Sequence, residues 1–326
     1  MNTRNVAKLD ANECPWPPEL DVAALARVML NRYPDAAEHE RLKAFIAELN
    51  GVRRGAVSLG NGSDDLLFRF LHVHQGAHVV VLHPSYPFHP EFALRNNCRV
   101  TTLALDRRYQ LPASFAADVA SIAPDVAFIC YPNNPTGTLY DAGVLARAVT
   151  EHADTLWVFD EAYYEFSRRS MLPLLEAGHD NVVILRTLSK AWGLAGVRFG
   201  YAFSTPAIAA SLDASLLPYH ISSLTLRAAW TRVRSHPPLE IVQRLVAARH
   251  RLSSALAQLP GVEVAPSEAN FLWVTCARPG LADHLERCGI LVKAPRLGGP
   301  GVRISVGTEE ENESVMRCVG EHARGS

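Results

Sequence analysis

The chain lacks the features that would place it in a membrane or on a nucleic acid. It has no run of about twenty apolar residues, so no membrane-spanning helix is expected. Its first thirteen residues are polar and lack the apolar region of a signal peptide. Its 32 lysines and arginines balance 33 acidic residues, which leaves a net charge of −1, and no basic cluster stands out. Nucleic acid and anionic membrane are therefore not expected as partners.

Cysteine is scarce, and its spacing contains no Cys-x-x-Cys pair. The six cysteines stand at positions 14, 98, 130, 276, 288 and 318. Cys130 and Cys276 lie in apolar runs, as small hydrophobic residues do. Cys98 and Cys288 are expected to be structural or exposed and not nucleophilic. Reduced thiols and a cytoplasmic location are the expectation.

Histidines are clustered between residues 72 and 89, but the other ligands that a metal site needs are missing from this segment. The five are His72, His74, His78, His83 and His89. No carboxylate or cysteine is placed to complete a coordination shell, and the segment crosses from a helical pattern into a strand and a loop. We expect partly exposed histidines, and we predict no metal.

Apolar periodicity predicts an α/β fold. The 326 residues have room for about two domains, and a hydrophobic content of 48% allows a sizeable core. Strands are predicted at 77–82, 100–103, 126–131, 156–160, 182–187 and 199–203, with helical stretches such as 142–152 between them. This alternation, from about residue 40 to 235, predicts a mostly parallel, seven-stranded type of sheet covered on both faces.

The pattern changes after Pro237-Pro238. A long helical pattern (239–259) leads to short strands at 262–264, 270–275, 290–293 and 302–306, with helices at 281–288 and 309–322. We therefore predict a large domain of residues 35–237. A smaller α+β domain is predicted from residues 1–34 and 238–326.

Lys190 and Asp160 are the first candidates for chemistry. Lys190 follows the apolar run 182–185 and stands among the hydroxyl residues of Thr187-Leu188-Ser189-Lys190. Burial there would make its neutral, nucleophilic amine accessible, which suits a Schiff base. Asp160 ends the apolar run 156–159, where open α/β sheets build ligand sites. A lysine of this kind with an Asp opposite a pyridinium nitrogen is typical of pyridoxal 5′-phosphate, PLP. Taken singly, either residue is more typical of a helix start or cap.

Two turns add to this pair. Tyr131-Pro132-Asn133-Asn134-Pro135-Thr136-Gly137 follows the strand at 126–131 and is rich in turn formers. In a PLP site it would place the Asn134 amide beside the phenolic oxygen of the cofactor. Gly62-Ser63-Asp64 begins a helical pattern, where backbone N–H groups and the positive helix end favour a dianion. Ser63 is expected to cap that helix as well.

Together these motifs resemble the fold-type I PLP-dependent aminotransferases (class I/II), and most of all the histidinol-phosphate aminotransferase group. The resemblance rests on Asn-Pro-Thr-Gly at 134–137, Asp-Glu-Ala-Tyr at 160–163, and Thr-Leu-Ser-Lys at 187–190 followed by Arg198. Four further motifs match the group in family order across nearly the whole chain: Leu9-Asp10-Ala11-Asn12-Glu13, Arg32-Tyr33-Pro34-Asp35, Gly60-Asn61-Gly62-Ser63-Asp64-Asp65 and Val302-Arg303-Ile304-Ser305-Val306-Gly307.

The resemblance implies PLP as the cofactor and assigns its contacts. Lys190, Asp160 and Tyr163 would be catalytic, and Tyr86 would stack on the pyridine ring. Tyr33 would reach the phosphate of the neighbouring subunit's cofactor, which implies a homodimer with shared active sites. The implied cofactor-binding residues are Gly62, Ser63, Asp64, Tyr86, Asn134, Asp160, Tyr163, Thr187, Ser189, Lys190, Arg198 and Tyr33.

Asn12, Lys293 and Arg303 are the predicted substrate-binding residues. Arg303 alternates with apolar neighbours in a strand pattern, and a buried arginine needs an anionic partner. The histidinol-phosphate group usually has an arginine at the position of Lys293; lysine keeps the charge but loses the bidentate fork. Arg296, three residues later, could substitute.

The expected substrates are a small-molecule amine donor and a 2-oxo acid. Histidinol phosphate, paired with 2-oxoglutarate and glutamate, is the first choice. Three alternatives stay open: a PLP lyase resembling the threonine-phosphate decarboxylases, an aromatic or other amino-acid transaminase, and a PLP-binding module without activity.

Overall fold

A seven-stranded sheet forms the centre of the computed structural model, which describes residues 6–235, 237–294 and 301–325. The strands of the described chain are β1 (Ala7–Lys8), β2 (Val57–Gly60), β3 (His78–His83), β4 (Arg99–Ala104), β5 (Val126–Cys130), β6 (Leu156–Asp160), β7 (Val182–Thr187), β8 (Gly200–Phe203), β9 (Val262–Val264), β10 (Phe271–Cys276), β11 (Ile290–Leu291) and β12 (Gly301–Ser305).

Helices cover this sheet and a smaller one. They are α1 (Val22–Ala26), α2 (Ala36–Leu49), α3 (Ser63–Val73), α4 (Phe88–Arg95), α5 (Phe115–Ile122), α6 (Ala142–Glu151), α7 (Tyr164–Ser167), α8 (Leu172–Glu176), α9 (Pro206–Ala214), α10 (Ser223–Arg234), α11 (Leu239–Leu256), α12 (Leu281–Arg287) and α13 (Glu309–Arg324). Short 3₁₀ turns occupy Arg54–Ala56 and Ala195–Val197.

The large sheet has the strand order β2-β8-β7-β6-β5-β3-β4. The neighbours from β7 to β4 pair in parallel, and β8 runs antiparallel to both β7 and β2. The predicted α/β fold with a mostly parallel seven-stranded sheet is therefore confirmed. Within this sheet, β2 is the strand that the periodicity did not predict, because it has only four residues and its last residue is already the first glycine of the Gly-Asn-Gly turn.

Both faces of the large sheet are buried, and its central strands end at the same edge. Phe128 and Ile129 are adjacent in β5 but belong to different apolar clusters, one on each face, as the two-residue period of a strand requires. β5, β6 and β7 are parallel and in register, so their carboxyl ends meet at one edge. The segments that follow them, which contain Asn134, Tyr163 and Lys190, are thereby brought together.

The smaller sheet is antiparallel, with the order β12-β10-β9, and α11, α12 and α13 pack around it. The N-terminal strand β1 pairs in parallel with β11, and the following Leu9 belongs to the apolar cluster of this sheet. Helix α1, by contrast, packs against α10. The domain limits at residues 35 and 237 stay a prediction.

A fourth apolar cluster connects the large sheet's carboxyl edge with the small sheet. It brings Ala162 and Tyr163, from the segment after β6, against Phe271 of β10 and Leu245 of α11. Within the described residues, no helix combines the length and the apolar composition needed to cross a membrane. All six cysteines are free thiols, and Cys288 is the exposed one.

Candidate active site

A cavity of about 760 Å³ opens at the carboxyl edge of the large sheet and faces the small sheet. Most of the predicted site residues line it, although they come from segments spread over the whole chain. Those residues are Ser63, Asp64, Tyr86, Asn134, Asp160, Tyr163, Thr187, Ser189, Lys190, Arg198, Lys293 and Arg303. Gly62, Asn12 and Tyr33 are not among the lining residues.

Lys190 lies just beyond β7, with its amine inside the cavity. Its Nζ donates a hydrogen bond to the backbone oxygen of Ala11, 2.8 Å away. Burial, followed by the positive charge of Arg303, lowers the pKa of Lys190 to about 8. A substantial fraction of the amine is then neutral at physiological pH, and the neutral form is the nucleophile and the base.

Asp160 projects from the end of β6 and is almost fully buried. Its Oδ1 accepts a hydrogen bond from the backbone N–H of Ala162 at 3.1 Å. Its Oδ2 lies 3.4 Å from Nε2 of His89, outside hydrogen-bonding geometry. A buried carboxylate with one oxygen held by the backbone is suited to receive an N–H⁺ donor from a ligand ring.

His89 corrects one expectation from the sequence. We expected partly exposed histidines between residues 72 and 89, but His89 is fully buried. Its ring stacks on Phe128 (centroids 5.1 Å apart) and meets Tyr86 edge-on (5.3 Å). In the described residues neither ring nitrogen has a hydrogen-bond partner. The available signal was its spacing: His89 lies three residues after Tyr86, in the first turn of α4, and therefore beside the same pocket.

The hydroxyl of Tyr163 is the acceptor for two amides. Asn12 Nδ2 donates to it at 2.9 Å, and Asn134 Nδ2 donates at 3.2 Å. Because a hydroxyl has two acceptor positions and one proton, its O–H remains available to donate into the cavity. Burial raises the pKa of Tyr163, which keeps that proton in place. Tyr163 is thus a preoriented donor for an anionic oxygen.

Asn12 does not line the cavity but contacts the Tyr163 hydroxyl, which does. It is buried, with its backbone N–H donating to Ser305 Oγ at 2.8 Å and its backbone oxygen accepting from Asn270 Nδ2 at 3.0 Å. Its role in substrate binding stays a prediction; the contacts in this structure run through the tyrosine.

Arg303 is a buried cation that uses only some of its N–H donors in hydrogen bonds to the described chain. Its Nη1 donates to Asn134 Oδ1 at 2.7 Å, and Nη2 donates to the backbone oxygen of Asp10. Its Nε is buried without a hydrogen-bond partner in the described chain, where no carboxylate forms an ion pair with it. Burial lowers the pKa of Arg303. Because Arg303 holds the oxygen of the Asn134 amide, the NH₂ group must face Tyr163.

Helix α3 begins at Ser63, and Ser63 and Asp64 of its first turn line the cavity. Gly62, with φ of 90°, precedes α3, and no side chain caps it. The expectation that Ser63 caps this helix is therefore wrong: Ser63 is its first residue. A Cβ on Gly62 would lie 2.6 Å from Arg198 Nη2, so glycine lets that guanidinium approach the helix end. Thr187 Oγ1 donates to Ser189 Oγ at 2.9 Å beside it. These groups form a cradle for a dianion.

Tyr86 and Asp64 form the adjoining wall. The Tyr86 hydroxyl donates to Asp64 Oδ1 at 3.0 Å, and Asp64 Oδ2 lies 3.7 Å from Arg198 Nη2. Burial raises the pKa of Tyr86. The hydrogen bond anchors the tyrosine ring at the cavity wall, and its stacking on a cofactor ring stays a prediction.

Two predicted residues lie at the margin or outside. Lys293 is exposed at the mouth of the cavity and pairs with Arg303 through two backbone hydrogen bonds of 3.0 and 2.8 Å. Tyr33 is 76% exposed, stacks on Tyr219 (centroids 4.1 Å apart) and lines a second, separate depression. Arg296 lies outside the described residues.

The site fits PLP in each of its parts. The uncapped helix end with Arg198 suits the phosphate, Asp160 suits a protonated ring nitrogen, and Tyr163 with Asn134 suits the phenolic oxygen. Lys190 supplies the amine for the aldehyde. Fold and site together define a PLP-dependent enzyme.

The comparison with known proteins gives the family. Residues 4–319 match the family described as aminotransferase class I and II, and the chain belongs to this family. It is a PLP-dependent aminotransferase similar to the histidinol-phosphate aminotransferases.

Named relatives cover nearly the whole chain. A histidinol-phosphate aminotransferase of Chromobacterium violaceum is 38% identical over 96% of this chain and 91% of its own length. An aromatic amino acid aminotransferase of Cutibacterium acnes is 34% identical over 98% of this chain and 94% of its own. The crystal structure of histidinol-phosphate aminotransferase from Sinorhizobium meliloti in complex with pyridoxal 5′-phosphate superimposes with a TM-score of 0.89, at 27% identity, over 99% of this chain and 92% of that one.

Proposed function

We propose that the enzyme moves an amino group between an anionic amine donor, with histidinol phosphate as first choice, and 2-oxoglutarate. The observation that carries this proposal is Arg303, a buried guanidinium in the cavity wall whose Nε has no hydrogen-bond partner among the described residues. A buried charge of this kind is stabilised when a substrate anion binds it. The relatives named for histidinol phosphate and the positive charge of Lys293 at the cavity mouth support the same donor.

Each residue around the cofactor has one task in this proposal. Bound PLP supplies the electron sink for charge that develops at the substrate Cα. Lys190 holds the cofactor and then moves a proton between the substrate Cα and the cofactor C4′. Asp160 keeps a proton on the pyridine nitrogen, and Tyr163 donates to the phenolic oxygen. The helix end at Ser63 and Arg198 hold the phosphate and so fix the ring.

Lys293 and Arg303 would together recognise the anionic end of the donor. They form a hydrogen-bonded antiparallel pair, which places their side chains on the same face of the strand pair. Lys293 would contact a distal anion that takes no part in the reaction, so its contact would be present in both ground and transition states. Lys293→Met should raise KM for histidinol phosphate far more than it lowers kcat. An unchanged KM would remove Lys293 from the substrate site and leave the aminotransferase assignment intact.

An aromatic amino acid is the second candidate donor. The outer cavity is lined by Tyr86, Phe88, Leu94 and Trp273, and the Trp273 Nε1–H donates to the Tyr109 hydroxyl at 2.9 Å. This wall suits a flat ring, imidazole or phenyl alike. The 34% identical aromatic amino acid aminotransferase supports the same alternative.

A donor panel separates these possibilities from a lyase. The purified enzyme with 2-oxoglutarate would be given histidinol phosphate, phenylalanine, tyrosine and threonine phosphate, and both glutamate and carbon dioxide would be measured. We expect glutamate with the highest kcat/KM for histidinol phosphate. Preference for an aromatic amino acid would overturn the donor, and carbon dioxide from threonine phosphate would overturn amino transfer as the principal reaction.

The proposed assembly is a cytoplasmic homodimer in which Tyr33 reaches the partner's cofactor phosphate. Tyr33 lines a surface depression together with the exposed apolar side chains of Leu30, Tyr219 and Leu224, which a second copy would cover. Exposed apolar side chains grouped in this way are typical of an interface. Tyr33 does not line the cavity of its own chain, so any contact of Tyr33 with a cofactor phosphate would be with that of a second subunit.

Subunit exchange tests the shared site. Lys190→Ala and Tyr33→Phe chains would be mixed, because a mixed dimer then has one site with Lys190 and an intact partner Tyr33. Random exchange of equal amounts would restore about a quarter of wild-type activity, since half of the dimers are mixed and each has one working site. Full activity of a wild-type monomer, or no recovery on proven exchange, would refute the shared site.

A further inference from the structure

A histidine, a cysteine and a glutamate lie close together at α12 and α13, the helices that pack on the face of the small sheet opposite the cavity residues Trp273 and Arg303. His284 stands on α12 and Cys288 directly follows it, while Glu321 stands near the end of α13. One nitrogen of the imidazole, the thiol sulfur and one carboxylate oxygen all lie within 4.8 Å of one another. None of the three residues lines the cavity.

The positions of these residues on α12 and α13 direct all three side chains towards one point. His284 and Cys288 are four residues apart, which puts them on one face of a helix. That face packs against α13. Ligand atoms around a tetrahedral Zn²⁺ ion stand about 3.5 Å apart, given Zn–N and Zn–S bonds of about 2.0 and 2.3 Å. Side-chain rotations that move each ligand atom by about 1 Å would therefore bring all three atoms to bonding distance from one Zn²⁺ ion.

The surroundings favour a bound ion. The Nε2 atom of His284 is buried and has no hydrogen-bond partner in the described chain. Its ring lies 5.1 Å from the ring of His322, whose Nε2 is 3.1 Å from the backbone oxygen of Arg278. Cys288 is exposed and so provides a path for entry.

We propose that His284, Cys288 and Glu321 bind a Zn²⁺ ion, with water in the fourth position. A borderline imidazole, a soft thiolate and a carboxylate are ligands of zinc, whereas Mg²⁺ and Ca²⁺ prefer oxygen ligands alone. Binding releases the thiol proton of Cys288 to solvent. The ion would link α12 to α13 and so stabilise the small sheet without touching the cofactor. From the sequence we predict no metal for the chain; this proposal departs from that prediction, and it concerns residues separate from the histidines at 72–89.

Cys318 is close enough to Cys288 that a disulfide between them is an alternative to the metal site. It stands one turn before Glu321 on α13, and burial together with contact to Cys288 raises the pKa of its thiol to about 12. A Cys288–Cys318 disulfide would consume the proposed thiolate ligand. The test must therefore distinguish a metal site from an oxidised cysteine pair.

Metal titration of the PLP-loaded enzyme tests the proposal. After treatment with a chelator and a reductant, Zn²⁺ would be titrated in competition with a chromophoric chelator, and Co²⁺ would be added separately to detect thiolate-to-metal absorption. We expect one Zn²⁺ per chain and no uptake of Mg²⁺. Cys288→Ser, His284→Gln and Glu321→Gln should each weaken Zn²⁺ binding by about tenfold or more. Cys14→Ser and His250→Gln are matched controls and should bind normally.

The outcomes are decisive. Amino transfer by every variant reports correct folding, because none of these residues touches the cofactor site. Zn²⁺ binding that Cys288→Ser and His284→Gln leave unchanged would overturn the proposal. So would absence of Zn²⁺ uptake by the reduced wild type, including the case in which mass spectrometry finds a Cys288–Cys318 disulfide in the untreated protein.

Discussion

Asn12 should control the direction in which Tyr163 donates its proton, and Asn12→Asp tests this. The Asn12 Nδ2 donates to the tyrosine hydroxyl at 2.9 Å. An aspartate has no N–H to donate and would instead accept from the tyrosine. Asn12 has φ of 53°, a left-handed conformation that Asn and Asp tolerate. Aspartate also retains an oxygen for Ser305 Oγ, which donates to Asn12 Oδ1 at 3.1 Å. The substitution thus keeps the backbone conformation and the Ser305 contact, reverses one hydrogen bond and adds a buried carboxylate.

The expected magnitude follows from the bond that is lost. Tyr163 would no longer donate to the anionic phenolic oxygen, and a hydrogen bond to a charged group contributes about 1.5–3 kcal/mol. Expressed as a barrier, this is roughly a 10- to 150-fold fall in kcat. The absorbance of the bound cofactor, titrated against pH, should show a raised pKa, because the hydrogen bond stabilises the deprotonated chromophore.

Steady-state kinetics with controls complete this test. Ser305→Ala removes the other side-chain contact of Asn12 but leaves its bond to Tyr163, so kcat should fall by less than about threefold. In a Tyr163→Phe background, Asn12→Asp should add little, because the two residues act as one unit. Wild-type kcat and an unshifted cofactor titration in Asn12→Asp would refute this reasoning.

Three further predictions concern catalysis, pH and stability. Asp160→Asn should lower kcat by about 10²- to 10³-fold through loss of electrostatic stabilisation; nearly unchanged turnover would reduce Asp160 to a structural role. The pKa of Lys190 is lowered from 10.5 to about 8 on folding. Between these values the unfolded chain binds more protons, so the cofactor-free protein should gain up to about 3 kcal/mol of stability as pH rises from 8 to 10.5. Lys190→Met should lose that gain in urea titrations, and an identical pH slope would contradict it. Glu161→Gln should destabilise the fold by about 3–5 kcal/mol, because it leaves Arg186, 2.9 Å from Glu161 Oε2 and almost fully buried, without its counter-ion; a denaturation midpoint equal to that of the wild type would show that the pair contributes nothing.

The elements around the cofactor could be predicted because their sequence signals are local. Asp160 ends the apolar strand β6 and Lys190 lies three residues after the apolar strand β7, and parallel strands bring their carboxyl ends to one edge. The turn with Asn134 carries its own proline and glycine signature. Arg303 stood out because a charge interrupts an apolar strand.

Other features depend on contacts that no local pattern encodes. The burial of His89 results from packing between Phe128 and Tyr86, and its five-histidine neighbourhood looked polar. The Tyr163 hydroxyl accepts hydrogen bonds from two amides, and one of them belongs to Asn12, which is 151 positions away in the sequence. The cluster of His284, Cys288 and Glu321 requires that α12 packs on α13, which periodicity does not reveal.

Reductive trapping tests the central assignment most directly. The PLP-loaded enzyme would be treated with borohydride, digested, and mapped by mass spectrometry to find the lysine that holds the cofactor. The structure predicts the pyridoxyl mass on Lys190 alone, and none on this peptide in Lys190→Ala. Modification of Lys293 or of any other lysine in place of Lys190, or no modification of the active enzyme, would contradict the assignment of the active site.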